Sequence, residues 1–358
     1  MKKKLLIITK GQFGYNIDSY HHCLYLKDEF DITYICFDVN LTKRDEDGIN
    51  VVYISHEGSF LQKAIRFVKT SRKYINKKEF DLIFIVYFQS VFLLGLMSKS
   101  HNIILDIRTG AVGYGVKKRK INDFIIKSES KFFRNISIIS SCLKNRLGIN
   151  EEKTHILPLG SDSFSIKKKQ YNNLNLLYVG RFQNRNIHET IYGLKIFLDA
   201  NRIEIDITYD IIGFGNDNEV KKLTDAIDKT NLHGIITLHG RVPHMKLKPF
   251  FERCNVGICY VPVTDYFNCQ PATKMFEYIN SGLVCIATNT DENKIYINNE
   301  NGLLCEDTPS SFAKSLEELN KKKQEYETEN IRKTLEELSW SNIVNNNLKP
   351  YLGKIIDG

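Results

Sequence analysis

Residues 256–288 read VGICYVPVTDYFNCQPATKMFEYINSGLVCIAT, and their punctuation decides the fold. An apolar strand gives way to a polar, turn-rich loop. A helix opens near Pro271, carries Glu277 and stops at Gly282, and a second apolar strand follows. Proline in a first helical turn loses no backbone bond, Thr273 is placed to cap orphan N–H groups, and glycine after the last periodic residue supplies a left-handed C-cap. The loop therefore aims amides at whatever lies above the strand ends. N–H groups and the helix dipole favour negative charge there, so an anion or a phosphorylated ligand is the expected occupant.

The rest of the chain repeats that alternation. Strands are expected at 4–9, 32–37, 51–55, 82–88, 103–107 and 137–140, with helical segments between them and a Gly11-Gln-Phe-Gly14 loop after the first. The pattern restarts at 174–180, passes through the loop RFQNRN (181–186) and a helix over 187–200, and continues with strands at 205–213 and 235–240. Such alternation implies an α/β fold with parallel sheets covered on both faces, whose ligands sit at the carboxyl ends of the strands. The Gly11–Gly14 loop alone is equally compatible with a plain tight turn. At 358 residues the chain suits two domains, and residues 164–173 read as a polar, Lys-rich linker.

Composition narrows the function classes. Hydrophobic residues make up 42% and charged residues 26%, as in ordinary globular proteins. Eight cysteines lie scattered without C-x-x-C or zinc-type spacing, so reduced, buried thiols are expected. The start MKKKLLIIT lacks the apolar core of a signal peptide, and 82–97 falls short of a membrane span, which predicts a soluble protein or one that touches a membrane only at its surface. Neither Asp38-Val39-Asn40 nor Asp45-Glu46-Asp47 makes a convincing D-x-D site, so no metal is expected.

Charge is uneven. Residues 1–170 hold 29 Lys and Arg against 17 Asp and Glu, whereas the remainder holds 21 against 25. An amphipathic helix over 60–78 places Leu61, Ala64, Ile65, Val68 and Ile75 on one side and Lys63, Arg66, Lys69, Arg72, Lys73 and Lys77 on the other. A second basic run covers Lys117, Lys118, Arg119 and Lys120. These residues make either a solvated face or a patch for an anionic membrane surface; no reading motif for nucleic acid accompanies them.

The run from Pro271 to Gly282 resembles the donor-binding signature of retaining GT-B glycosyltransferases of family 4 (glycosyl transferases group 1). The resemblance implies that Glu277 receives the ribose hydroxyls and that Pro271, Ala272, Thr273 and Lys274 hold the diphosphate and sugar. The position eight residues before Glu277, a glutamate in the family, is Cys269. The Val179–Arg181 turn resembles the loop whose cations bind the diphosphate, here Arg181 and Arg185, and the turn at 239–243 resembles the one whose backbone, near Val242, meets the base. Gly14 corresponds to the glycine that lets the first loop approach donor phosphates. Asp106-Ile-Arg108 resembles a variant of a region where the family often carries histidine, making Asp106 and Arg108 catalytic candidates beside Arg181; the residues alone also admit a structural ion pair. Residues 138–162 resemble the family's hinge region.

Taken together the resemblance implies a GT-B fold: two Rossmann-like domains facing across a cleft. Residues 1–165 would bind the acceptor, 166–335 the nucleotide-sugar donor, and 336–358 would form a helix packing back toward the first domain. It implies retaining transfer of a sugar from a nucleotide-diphosphate donor to a lipid-linked or saccharide acceptor in bacterial surface polysaccharide assembly. No metal or other cofactor is expected, and the expected location is cytoplasmic, peripheral at the inner face of the cytoplasmic membrane. A GT-B nucleotide-sugar epimerase and a non-catalytic sugar-nucleotide- or partner-binding homologue remain the alternatives.

Overall fold

The computed structural model describes residues 2–97, 102–112, 115–201 and 206–357. Short apolar runs become parallel strands, the central ones buried on both faces, and the chain divides into two units: 1–159 with 340–358, and 160–339. In the first unit the strands are β1 Lys3–Ile8, β2 Phe30–Asp38, β3 Ile49–Ser55, β4 Leu82–Val86, β5 Ile103–Ile107, β6 Asn135–Ile138 and β7 Thr154–Ile156. They pair in the order β3-β2-β1-β4-β5-β6-β7, all parallel. The helices between them are α1 Ile17–Leu26, α2 Phe60–Asn76, α3 Phe92–Gly95, α4 Val116–Ser130 and α5 Ser141–Leu147.

The second unit repeats the plan with β8 Leu174–Arg181, β9 Ile207–Phe214, β10 Ile236–Gly240, β11 Val256–Cys259, β12 Val284–Thr288 and β13 Gly302–Cys305, in the order β10-β9-β8-β11-β12-β13. Its helices are α6 His188–Ala200, α7 Asp217–Thr230, α8 Lys248–Arg253, α9 Asp265–Asn268, α10 Thr273–Asn280, α11 Asn293–Tyr296, α12 Pro309–Lys322 and α13 Thr328–Lys333. In both sheets the strand order reverses beside the first strand, at β1/β4 and at β8/β11. The expected strands are present, although Ile205, the expected start of β9, lies outside the described residues.

Several expectations need correction. The short edge strands β7 and β13 were not anticipated, because three or four residues paired along one side carry little apolar signal. Of the apolar side expected for α2, Leu61 and Ile65 are exposed and Ile75 is buried, together with Phe67 and Ser71. The expected closing helix over 336–358 is broken into short pieces. Cys23, Cys36, Cys254, Cys259, Cys285 and Cys305 are free, buried thiols, so the expectation of reduced cysteines holds for these six. Among the described residues no helix is long and apolar enough to cross a membrane.

The last segment, α14 Trp340–Ile343, a π-helical turn over Val344–Leu348 and α15 Lys349–Asp357, belongs to the first unit. Pro350 has no N–H and crowds the turn before it, which suits the wider π-turn. Trp340 is buried and stacks on His21 with ring centroids 4.9 Å apart, and meets His22 edge-on at 5.7 Å. Tyr351 stacks on His155 at 4.0 Å.

His22 is enclosed by Trp340 and Phe84, with both ring nitrogens unbonded. Burial, reinforced by Arg108, pulls its pKa down to about 3. An unfolded histidine binds its proton near pH 6.5, so the native state loses stability as pH falls from about 6.5 toward 3. Asp106 acts in the opposite sense: burial raises its carboxyl to about 6, a cost that fades as pH falls below that value. We expect denaturant midpoints to drop between about pH 6.5 and 4.5 and the drop to shrink in His22→Leu; an unchanged slope in the variant would refute the assignment.

Candidate active site

In the second sheet β8 pairs with β9 along its whole length, from Leu174↔Ile207 to Arg181↔Phe214. With β11 it pairs only at Leu176↔Val256 and Leu177↔Gly257. Beyond that point the two strands part. The Val179 N–H, which continued pairing would have used, donates instead to the Tyr278 hydroxyl of α10 at 2.8 Å. α10 approaches this closely because residue 257 is glycine: a Cβ there would lie 2.2 Å from the Tyr278 ring. A crevice thus opens at the carboxyl ends of β8 and β11, at the point where the strand order reverses, which is where open α/β sheets bind ligands.

Arg181 ends β8 and is exposed. Its backbone carbonyl accepts the buried Tyr178 hydroxyl at 2.7 Å, and its guanidinium lies 5.6 Å from the Phe214 ring. Arg241, following β10, sits 5.0 Å from the same ring. The turn after Arg181 holds Asn184 and Asn186 in left-handed conformations, a geometry asparagine tolerates, and between them Arg185 turns inward. Arg185 stacks on Phe267 at 4.0 Å, and its Nη1 is buried with no hydrogen-bond partner. Burial lowers its pKa, against the pull of Tyr178, Cys259 and Tyr266, and Arg181 adds repulsion. A buried guanidinium without a carboxylate partner is costly unless an anion arrives.

The opposite wall is α10. Its N-cap is Ala272, with no side-chain cap bond, which corrects the expectation that Thr273 caps the helix; Thr273 is the first helical residue. The Met275 N–H donates to Ala272 O at 3.0 Å, and its proximity to the buried Cys259 thiol at the end of β11 offsets part of the rise in that thiol's pKa that burial causes. Glu277 is 4% exposed and pairs with Lys274, whose ammonium lies 5.5 Å from the Phe164 ring. At its far end α10 closes on Gly282 (φ +77°), where Gly282 N–H bonds Ile279 O and Leu283 N–H bonds Tyr278 O, a Schellman stop.

Arg181, Arg185, Pro271, Ala272, Thr273, Lys274 and Glu277 are therefore gathered at one edge of one sheet, with Val242 at the same edge after β10. Gly14, Asp106 and Arg108 belong to the first unit. Gly14 is buried beneath Arg44. Asp106 is 1% exposed and accepts the Ser137 hydroxyl at 2.8 Å; Arg108 lies 3.9 Å from it and donates to Asp18 at 2.6 Å and to Leu157 O at 2.7 Å. Arg108 thereby ties α1 to the ends of the strands.

Sequence reading overlooked two groups. Phe214 and Arg241 continue the cationic wall from Arg181; the Gly213-Phe-Gly215 sequence was the available signal. At the β1/β4 reversal of the first unit, Lys10 and Glu129 influence one another: burial lowers the Lys10 pKa against the pull of Glu129, and raises that of Glu129, whose Oε1 accepts the Ser90 N–H at 2.8 Å. A cavity of about 1150 Å³ opens at the opposite, amino-terminal edge of that sheet, lined by Arg134, Lys153, His155 and Tyr351. Size alone does not make it the site, because it lies away from the carboxyl ends of the strands.

Residues 173–322 match the family described as "Glycosyl transferases group 1". The matched stretch makes up most of the second unit. The crevice lies inside the matched stretch. No curated protein matches the chain at the level of sequence. Among solved structures, the chain is similar to sucrose-phosphate synthase from Thermosynechococcus elongatus, at 16% identity and a TM-score of 0.76 over 100% of both chains. It is also similar to HepE of Anabaena in complex with UDP and glucose (13%, 0.74, 98% of this chain and 100% of that one). A third match is the lipopolysaccharide outer core galactosyltransferase WaaB (14%, 0.70, 98% and 99%). At such identities the likeness establishes the fold, the GT-B arrangement of two Rossmann-like units.

Arg185 generates a prediction that separates ligand binding from folding. Arg185→Met removes an unpaired, half-buried charge and should stabilise the ligand-free protein by about 1 kcal/mol, while abolishing any rise in melting temperature on adding a nucleoside diphosphate. A destabilised variant that still responds to nucleotide would contradict the geometry.

Proposed function

We propose that the chain is a retaining glycosyltransferase that moves a sugar from a nucleoside-diphosphate donor to a lipid-linked or saccharide acceptor, in the assembly of a bacterial surface polysaccharide. One observation carries this reading: Arg185 is half-buried without a carboxylate partner, its Nη1 enclosed and unbonded, in the crevice that Arg181 and the mouth of α10 also border. A diphosphate supplies the missing negative charge. Glu277, buried with Lys274 as its partner, retains acceptor capacity for a ribose diol. HepE, solved with UDP and with UDP-glucose, supports a nucleotide-sugar donor, and WaaB, a galactosyltransferase of the lipopolysaccharide outer core, supports a surface-polysaccharide role.

The chemistry follows from where charge grows. As the bond from the anomeric carbon to the diphosphate oxygen breaks, negative charge builds on the leaving group. Arg181, Arg185 and the α10 amides are preorganised to hold it, which is worth more in the transition state than in the ground state. Two guanidinium groups already supply this positive charge, so the reading is of metal-independent transfer without another cofactor. Cys269 occupies the family's glutamate position, and retention is read as front-face displacement: the leaving phosphate takes the acceptor proton while the acceptor oxygen bonds the same face of the sugar. The first unit would receive the acceptor, and its basic surface would rest on the anionic inner face of the cytoplasmic membrane.

Arg181→Ala and Glu277→Ala should each weaken nucleoside-diphosphate binding about tenfold or more through loss of charged hydrogen bonds, as read by calorimetry. Unchanged affinity in both removes the site. Release of free nucleotide from a panel of nucleotide-sugars should depend on added lipid-linked acceptor. Donor isomerised without acceptor would indicate an epimerase, and binding without turnover a non-catalytic homologue.

A further inference from the structure

Two helices of the first unit begin with turns that bury nothing. In α2 the residues from Phe60 to Arg66 contribute no buried side chain, and burial starts at Phe67. In α4 it starts only at Ile126. These unburied turns are apolar as well as basic: Phe60 is 76% exposed, Leu61 66%, Ile121 59% and Phe124 67%, with Ile65 and Leu96 similarly open. α3 packs against both α2 and α4, so the three helices form one layer and their exposed groups lie on one side of the sheet. A helix that needed only to cover the sheet would carry polar residues on its outer turns. A group of large apolar side chains left in water on neighbouring helices marks an interaction surface.

Charge selects the occupant. α2 carries five basic residues and no acidic one. Among the described residues Lys69, Arg72, Lys73, Lys117 and Lys120 have no acidic partner. A second copy docked through this face about a two-fold axis would set these cations against themselves. A nucleic acid would satisfy the cations, and its bases could stack on Phe60 and Phe124, but it would leave the aliphatic Leu61, Ile65, Leu96 and Ile121 in water. An anionic lipid surface satisfies both sets of groups: acyl boundary for the rings, headgroup phosphate for the ammonium and guanidinium groups.

We propose that Phe60, Leu61 and Ile65 of α2, Leu96 after α3, and Ile121 and Phe124 of α4 form an insertion face that seats the first unit in the headgroup layer of an anionic membrane. The inference deepens the peripheral-membrane part of the functional reading and rests on it. It adds that attachment is by side-chain insertion and that the attachment points are specific apolar residues beside the cations. The helices lie in the plane of the interface; neither is a crossing segment.

The test uses the full chain and vesicles of phosphatidylcholine with or without phosphatidylglycerol. Phe124→Trp should shift its emission to the blue and be quenched by brominated lipid in the anionic vesicles, with the buried Trp340 as a constant background. Phe60→Ser/Phe124→Ser should lower the partition coefficient about tenfold or more while leaving nucleoside-diphosphate affinity unchanged. Absence of quenching in the Phe124→Trp variant, or unchanged partition in the double variant, overturns insertion. If neutralising Lys63, Arg66, Lys73 and Lys77 then still releases the protein, the electrostatic reading survives alone. No vesicle binding by the wild-type chain overturns both and leaves the donor site untouched. Self-association without lipid that the double variant abolishes overturns the proposal in favour of a second copy.

Discussion

The site depends on two strands that stop pairing early. β8 and β11 share only two residue pairs, and the hydrogen-bond donor that this leaves on Val179 would be an orphan if Tyr278 did not reach across to it. That single hydroxyl lets the strands diverge at no cost in unsatisfied backbone. The divergence makes room for Arg185, and the glycine at 257 brings α10 close enough for the tyrosine to span the gap.

Arg185 illustrates how such a site is held in tension with stability. Stacking on Phe267 compensates part of the loss of water around the guanidinium, yet Nη1 remains buried and unbonded. Folding alone does not favour that arrangement. Asp210, elsewhere in the same unit, shows the alternative: it is paired with both Arg253 and His239, and nothing is left over to bind a ligand.

The parts of this molecule that sequence makes legible are those written in local order. Strands buried on both faces appear as apolar runs, and α10 is bracketed by Pro271 and Gly282, so the sheets and the helix were readable, as was the pairing of Arg181 with a turn. What could not be read is burial decided by elements far away in the chain. Leu61 and Ile65 share the apolar side of α2 with Ile75, and only packing reveals that Ile75 and Phe67 are buried while the first turns stay open. Asp106 sits at a strand end like a ligand-facing residue, but Ser137 and Arg108 enclose it. Thr273 has the chemistry of a cap and misses the position by one residue, a difference that only backbone angles define. Phe214 joins Arg181 and Arg241 across two strand ends, a proximity set by sheet order.

The return of the last segment has a consequence for the birth of the protein. Trp340 and the residues after it complete a unit whose other strands lie within the first 159 positions, so that unit encloses the second one in sequence. During synthesis the second unit is fully made before the first can bury His21 and His22 under Trp340. The inner unit can therefore reach its native state on the ribosome, while the outer one waits with an apolar flank uncovered. A nascent chain that ends just short of residue 340 leaves that flank uncovered.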